Sequence, residues 1–364
     1  MDETLETVPQ AAPAMLDLHD MTLEELEQVV AAAGERPYRA GQILHWTYAR
    51  GAKSFDEMHD LPGRFRQYLK EHITFGGSTI SMALDARSMV SKSADGTRKL
   101  LIRLGDGEEI ESVIIPTEKR VTLCMSSQVG CAMACEFCAT ARMGLHRNMT
   151  AAEILAQVHA AKRELVAGEE LTNFVFMGMG EPLANYPRLI RALTIMTAEW
   201  GMGISPRRIT VSTVGLVPMM EKLLGDIPVQ LAVSLHATTN ALRDRLAPIN
   251  KRYPLEVLLD ACRNLPIKRR NRITFEYVML AGVNDSVADA RRLVRLLAPL
   301  RAKVNLIFYN PFEGSELRTS PRAAVEAFQA ILKHGSLTAT IRESRGLDIA
   351  AACGQLYAEQ HVAV

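Results

Sequence analysis

No apolar run of about 18 residues occurs, the length a membrane-crossing helix needs, and Met1 to Pro13 is acidic and Ala/Pro-containing where a secretory leader would be basic and then apolar. These absences argue against a membrane or secretory route, and the expected compartment is the cytoplasm. Net charge is nearly missing as well. At +1 over 364 residues there is no global field for nucleic acid, so any RNA contact rests on local patches. The densest is Lys268-Arg269-Arg270-Asn271-Arg272 and a smaller one is Arg207-Arg208; taken alone, each reads as an ordinary solvated face. Internal repeats and long linkers are absent too. Six cysteines in a chain of this length read as metal or redox chemistry and exclude a disulfide framework.

What is present is ample core-forming material, 48% hydrophobic against 23% charged residues. A chain of this size buries roughly three quarters of its unfolded surface, which predicts one large domain with a smaller companion. Residues 1–19 read as a flexible tail. Thr22-x-x-Glu25 is a capping box opening a first helix, with Leu23, Leu26, Val30 and Ala33 at helical spacing. Further helices are expected from Arg39 to Arg50, from Ser54 and from Phe65 to Lys70, making an all-helical module over 20–75. From Ile80 to Thr122 the period becomes alternating, with Asp95-Gly96 and Asp106-Gly107 at hairpin-turn positions, so 76–122 is expected to be an antiparallel strand extension. Glu111 lies in its last strand among Ile110, Val113, Ile114 and Ile115, a setting that predicts the solvent face.

Beyond it the period alternates between strand and helix. Thr150-x-x-Glu153 caps a helix, and strands are expected at Asn173–Met177, Arg208–Thr213, Val229–Leu235, Ile273–Leu280, Val304–Tyr309 and Leu337–Ile341. The fold class is therefore α/β, a parallel sheet with outer helices forming a full or partial barrel over 123–345, followed by a carboxyl-terminal segment, 346–364. Functional residues of such a sheet gather after the carboxyl ends of the strands.

Cys131-Ala-Met-Ala-Cys135-Glu-Phe-Cys138 sits at the junction of the two strand layers. Three thiolates at this spacing can serve one soft metal centre, and the fourth ligand of a closed zinc site is missing from the motif. A zinc loop that borrows a distant ligand and a tetra-iron cluster with one open iron are the alternatives. Gly178-Met-Gly-Glu-Pro182 follows a buried strand, where bare backbone can approach a ligand and Glu181 can accept from an ammonium group. Ser212, Ser234-Leu235-His236 and Asn310 lie at strand ends, where turn or satisfied polar roles are common. Cys262, in the helical pattern of Leu258, Leu259 and Leu265, reads as an inert small hydrophobe. Cys353 is followed by Gly, and Arg342 and Arg345 could favour its thiolate if they fold beside it.

C-x3-C-x2-C in this position resembles the radical S-adenosylmethionine (SAM) superfamily. Leu123-Cys-Met-Ser-Ser-Gln-Val-Gly-Cys131, Met177-Gly-Met-Gly-Glu-Pro182, Val233-Ser-Leu-His-Ala237, Asn305-Leu-Ile-Phe-Tyr-Asn-Pro311 and Asp348-Ile-Ala-Ala-Ala-Cys-Gly-Gln-Leu356 together resemble the RlmN family of bacterial RNA adenine-C2 methyltransferases. The likeness runs from about residue 20 to 356. It implies a partial (β/α)6 TIM-like barrel with a helical RNA-binding module, and a [4Fe-4S] cluster on Cys131, Cys135 and Cys138. It further implies SAM contacts at Gly180, Glu181, Ser212, Ser234, Leu235, His236 and Asn310. Two SAM molecules per turnover are implied, one to methylate Cys353 and one to yield a 5'-deoxyadenosyl radical that activates the S-methyl group. Cys124 would release the tethered product through a transient disulfide, and Glu111 matches the proton acceptor. The implied substrates are an adenosine in the peptidyl-transferase loop of 23S rRNA and the adenosine 3' to the anticodon in some tRNAs, with a reductant such as flavodoxin or ferredoxin; nothing in the sequence suggests an obligate interface, so a monomer is expected. Carbon 2 of adenine is too electron-poor to attack a sulfonium methyl, which is why a radical route is needed. The rivals are the related C8-specific enzymes and, from another class, a non-catalytic zinc-dependent RNA-binding protein.

Overall fold

Thr22 and Glu25 make the reciprocal capping box their spacing predicts, with the Thr22 N–H donating to Glu25 Oε2 at 2.9 Å and the Glu25 N–H to Thr22 Oγ1 at 3.3 Å. The computed structural model describes residues 15–75, 89–267 and 271–357. Part of the expected tail (1–14), the start of the strand extension (76–88), Lys268 to Arg270 of the basic run, and residues 358–364 lie outside the described residues. The chain divides into two units, Met1–Gly77 and Ser78–Val364.

In the first unit, β1 (Leu16–Asp17) precedes α1 (Leu23–Ala32), α2 (Tyr38–Tyr48), α3 (Gly63–His72) and β2 (Ile73–Thr74). β1 pairs parallel with β2, and Leu18 is fully buried beside it. The segment just before residue 20, expected in the tail, is thus part of this unit, because closing the two-stranded pair buries it. Leu26, Ile43, Leu44 and Leu69 form the buried faces of the three helices.

The second unit is built on a ten-stranded sheet. Its antiparallel part is β3 (Met89–Lys92), β4 (Arg98–Arg103) and β5 (Glu109–Thr117), and β6 (Arg120–Cys124) joins it to the parallel part. Gly96 and Gly107 take positive φ in the two hairpin turns, where the sequence placed them. After β6 a small hairpin of β7 (Gln128–Gly130) and β8 (Leu145–Asn148) encloses the cysteine loop. There follow α4 (Ala151–Arg163), β9 (Leu171–Phe176), α5 (Tyr186–Thr197), β10 (Ile209–Thr213), α6 (Val217–Asp226), β11 (Gln230–Ser234), α7 (Asn240–Leu246) and α8 (Leu255–Asn264). The chain continues with β12 (Ile273–Met279), α9 (Val287–Leu297), β13 (Ala302–Phe308), α10 (Arg322–His334) and β14 (Thr338–Arg342).

Strands β6 and β9 to β14 are parallel and adjacent in that order. Six of them are followed by helix, so the unit is a (β/α)6 array with β14 as an added parallel strand. The sheet curls strongly. Five strand spacings of about 4.8 Å would hold β9 and β14 roughly 24 Å apart in a flat sheet, yet Arg342 at the end of β14 reaches the Met177 sulfur just beyond β9 at 3.6 Å. A half-closed barrel results, its strand carboxyl ends converging on one mouth. Every residue of β12 is buried, as a central strand covered on both faces requires, and Tyr277 packs on Phe328 of α10 at 5.4 Å between ring centres.

Candidate active site

The cysteine loop is pinned at both ends by backbone bonds. Cys131 N–H donates to the Gly144 carbonyl at 2.7 Å, and Glu136 N–H to the Leu246 carbonyl at 3.1 Å. A side chain at Gly130 would place its Cβ 1.9 Å from that Gly144 oxygen, and Gly130 itself has φ of +74°, so only glycine closes the hairpin here. Cys131, Cys135 and Cys138 line one open cleft of about 910 Å³ at the barrel mouth. Burial, then neighbouring sulfur charge, pushes the Cys135 thiol well up; burial first raises Cys131 to about 12 and also raises Cys138.

Thiols so placed ionise when a metal supplies positive charge. Three soft thiols lining one cleft suit a [4Fe-4S] cluster with one iron left open.

The segment after β9 lies against this loop. Gly178 N–H donates to the Met125 carbonyl at 3.0 Å, Met179 N–H to Ser126 Oγ at 2.8 Å and Glu181 N–H to Gln128 Oε1 at 2.8 Å. Gly180, at φ +96°, leaves no room for a Cβ, which would sit 2.5 Å from the Gln128 side chain. Glu181 accepts the N–H of Leu183 at 3.0 Å and of Val214 at 2.8 Å, tying the end of β9 to that of β10. Burial raises its pKa to about 7 against the pull of these bonds.

Gly180, Glu181, Ser212, Ser234 and His236 all line the cleft. His236 is held at φ +57° by Asn284, whose amide donates to its carbonyl at 2.8 Å, while its Nδ1 accepts the Val278 N–H at 3.0 Å. Leu235 and Asn310 are placed otherwise. Leu235 is fully buried with its carbonyl taken by Arg243. The Asn310 amide donates to the Cys353 carbonyl at 3.0 Å and accepts the Ser344 hydroxyl at 2.6 Å.

Asn310 is one of several hooks on the tail. The Ala139 N–H donates to the Gly354 carbonyl at 2.7 Å, Thr140 Oγ1 to the Leu356 carbonyl at 2.6 Å, and the Tyr357 N–H to Glu111 Oε2 at 2.9 Å. These bonds bring Cys353 to the cleft wall and also to a second cavity, of about 510 Å³, that contains Cys124. Met177, Ile307, Arg342 and Cys353 border both spaces. The Cys353 charge, ahead of those of Glu276 and Cys124, raises the pKa of the Arg342 guanidinium, so a cation stands beside the two sulfurs. Burial, and next the charge of Cys353, pushes the Cys124 thiol up to about 12. All six cysteines are free thiols.

Comparison with known proteins decides the lineage. The radical SAM superfamily profile matches residues 125–294, and that of the ribosomal RNA large subunit methyltransferase N-terminal domain matches 16–75. The chain is 52% identical over 342 residues to the dual-specificity RNA methyltransferase RlmN of Geobacter sulfurreducens, covering 94% of this chain and 92% of that one. It belongs to the RlmN family. Another RlmN, from Syntrophobacter fumaroxidans, is 49% identical over 93% of this chain and 97% of its own length. A crystal structure of a radical SAM methyltransferase from Sphaerobacter thermophilus superposes with a TM-score of 0.85 at 45% identity, covering 94% of this chain and all of that one.

Within this RlmN-family fold, Glu111 departs from its sequence expectation. It is 3% exposed, and its carboxylate pairs with Lys99 at 2.7 Å besides holding Tyr357. Lys99 also donates to the Ala350 carbonyl at 3.5 Å, so the face expected to meet solvent is covered by the carboxyl-terminal tail, while the neighbouring Ser112 bonds Gln157 of α4 at 2.6 Å on the opposite face. Two further residues escaped the sequence reading. Arg243 is fully buried and donates to the carbonyls of Val214, Ser234 and Leu235, stitching the loops after β10 and β11; nothing in its helical neighbourhood distinguishes it. Glu276, which lines the cleft, had a signal: it is the lone carboxylate in the otherwise uncharged run Ile273 to Leu280.

Proposed function

We propose that the chain methylates carbon 2 of an adenosine in the peptidyl-transferase loop of 23S rRNA and of the adenosine 3' to the anticodon in some tRNAs. The observation that carries this reading is the pair of adjoining cavities sharing Cys353, one containing Cys131, Cys135 and Cys138 and the other containing Cys124. Those three cysteines would hold a [4Fe-4S] cluster, which together with bound SAM would supply a 5'-deoxyadenosyl radical. Gly180, Glu181, Ser212, Ser234 and His236 are the residues that would orient SAM in the cleft.

Cys353, beside the Arg342 guanidinium, takes a methyl group from one SAM as a thiolate, releasing the homocysteine thioether. A second SAM is spent to abstract a hydrogen from that S-methyl group, and its carbon then bonds adenine C2. Either Glu111 or Cys124 would take the ring proton as the ring radical returns one electron to the oxidised cluster. Cys124 attacks the Cys353 sulfur, the carbon–sulfur bond breaks, the methyl carbon takes up a proton, and a disulfide remains for a thiol reductant; a one-electron donor such as flavodoxin or ferredoxin would reduce the cluster for SAM cleavage. The module at 20–75 and the basic run at 268–272 serve as phosphate contacts, and an adenosine flipped out of its stack suits the enclosed mouth. The enzyme works in the cytoplasm as a monomer.

Replacing Cys124 by Ala tests the two-cysteine division: RNA should accumulate covalently on Cys353, and Cys353→Ala should abolish both adduct and methylation. Nucleoside mass spectrometry should find 2-methyladenosine. Finding 8-methyladenosine alone would overturn the C2 assignment, and zinc without iron after anaerobic purification would overturn the enzyme itself.

A further inference from the structure

Four polar residues form a row across neighbouring strands: Ser234 on β11 is in register with Glu276 on β12, Glu276 with Asn305 on β13, and Asn305 with Thr340 on β14. In-register residues of a parallel sheet share a face, and Ser234 and Glu276 both line the cleft. The row is a directed hydrogen-bond chain. Thr340 Oγ1 donates to Asn305 Oδ1 at 2.6 Å, which turns the Asn305 amide so that Nδ2 donates to Glu276 Oε1 at 2.9 Å. The chain stops there. Glu276 is 3% exposed, yet its second oxygen, Oε2, is buried without any hydrogen-bond partner.

A buried carboxylate oxygen left unpaired is costly, and a ligand that donates to it would complete it. Burial raises the Glu276 pKa, while the charge of Arg342, the Asn305 bond and Lys303 oppose that rise. A carboxylate oriented by its neighbours can only accept a hydrogen bond. We infer that Glu276 is a further SAM-binding residue, whose Oε2 accepts a hydrogen bond from a ribose hydroxyl of the adenosyl group beside Ser234. The inference rests on the proposal that SAM occupies this cleft. A carboxylate against a ribose hydroxyl is a recurrent pairing in nucleotide sites.

The substitution Glu276→Gln is nearly isosteric and reverses the chemistry at one atom. Asn305 Nδ2 still needs an acceptor, so the Gln oxygen stays on that side and its amide NH2 takes the place of Oε2, offering a donor where an acceptor stood. The test measures dissociation constants by anaerobic equilibrium dialysis on cluster-reconstituted protein without reductant, so no turnover intervenes. The probes are SAM, its 2'-deoxy and 3'-deoxy analogues, and its N6-methyl analogue, with cluster absorbance confirming that each variant is folded and loaded.

Wild type should bind one of the deoxy analogues about tenfold more weakly than SAM, the loss expected for one charge-assisted hydrogen bond. Glu276→Gln and Glu276→Ala should bind SAM about tenfold more weakly and no longer distinguish that analogue from SAM. Unchanged SAM affinity in Glu276→Gln, or a wild type indifferent to both hydroxyls, overturns the inference. Coupling of Glu276 to the N6-methyl analogue in place of a deoxy analogue overturns it too, by moving the contact to the adenine amine. If loaded wild type binds no SAM at all, the failure belongs to the functional reading and not to Glu276.

Discussion

Cys135, in the loop after β6, and Cys353, in the tail after β14, line the same cleft among quite different neighbours. Around Cys135, burial comes first and the charges of Cys138, Cys131 and Glu181 add to it, all favouring the protonated thiol. Beside Cys353 stands Arg342, a half-buried cation whose pKa is raised first of all by the charge of that sulfur. Sulfurs that hold metal can wait for the metal's own charge, whereas a sulfur that must attack a methyl group gains from a cation held beside it. The supports differ as well. The cysteine loop closes on itself through a hairpin, and the tail hangs from side chains and backbone groups of distant elements.

Removing a metal-side sulfur should abolish one half of this contrast. Cys135→Ala is expected to yield colourless protein without iron and without absorbance near about 400 nm, read by iron analysis after anaerobic reconstitution. On the tail side, Arg342→Met should slow iodoacetamide alkylation of Cys353 at neutral pH by about tenfold, with Arg342→Lys largely retaining the rate. Equal rates in all three proteins, followed by peptide mass spectrometry, would erase the electrostatic contrast.

The rigid cleft wall carries a smaller, pH-dependent signature. Burial lowers the His236 pKa to about 3, below the value of about 6.5 for an unfolded histidine. The unfolded chain therefore binds this proton first, and stability falls as pH drops below about 6.5. From pH 7 to pH 5 the loss from this group is about 2 kcal/mol, and His236→Asn, which keeps an acceptor for the Val278 N–H, should remove that component from urea-unfolding curves. The smallest effect concerns the tail. Asn310→Ala deletes the bond to the Cys353 carbonyl, worth about 1 kcal/mol, and should speed hydrogen exchange in Cys353–Leu356 by about fivefold.

Much of the architecture was legible because it is local. The capping boxes at Thr22 and Thr150 form as spaced, and the six expected parallel strands appear within a few residues of their predicted bounds, since strand period and turn residues act over short distances. Glu111 was misread for the converse reason. Alternation implies a solvent face only where nothing covers the sheet, and the carboxyl-terminal tail covers this one. Glu276 could be noticed in sequence, but its orphaned oxygen depends on the register of three strands.

The amino-acid sequence by itself determined the order of elements, the two-unit composition and a three-cysteine loop at the head of a parallel array, because spacing, capping and periodicity are properties of neighbouring residues. Tertiary structure alone decided that Cys353 lies beside Cys124 and Arg342. That meeting depends on bonds such as Thr140 to Leu356 and Glu111 to Tyr357, which join residues 216 and 246 positions apart, and on a sheet curled far enough to bring β14 back to β9.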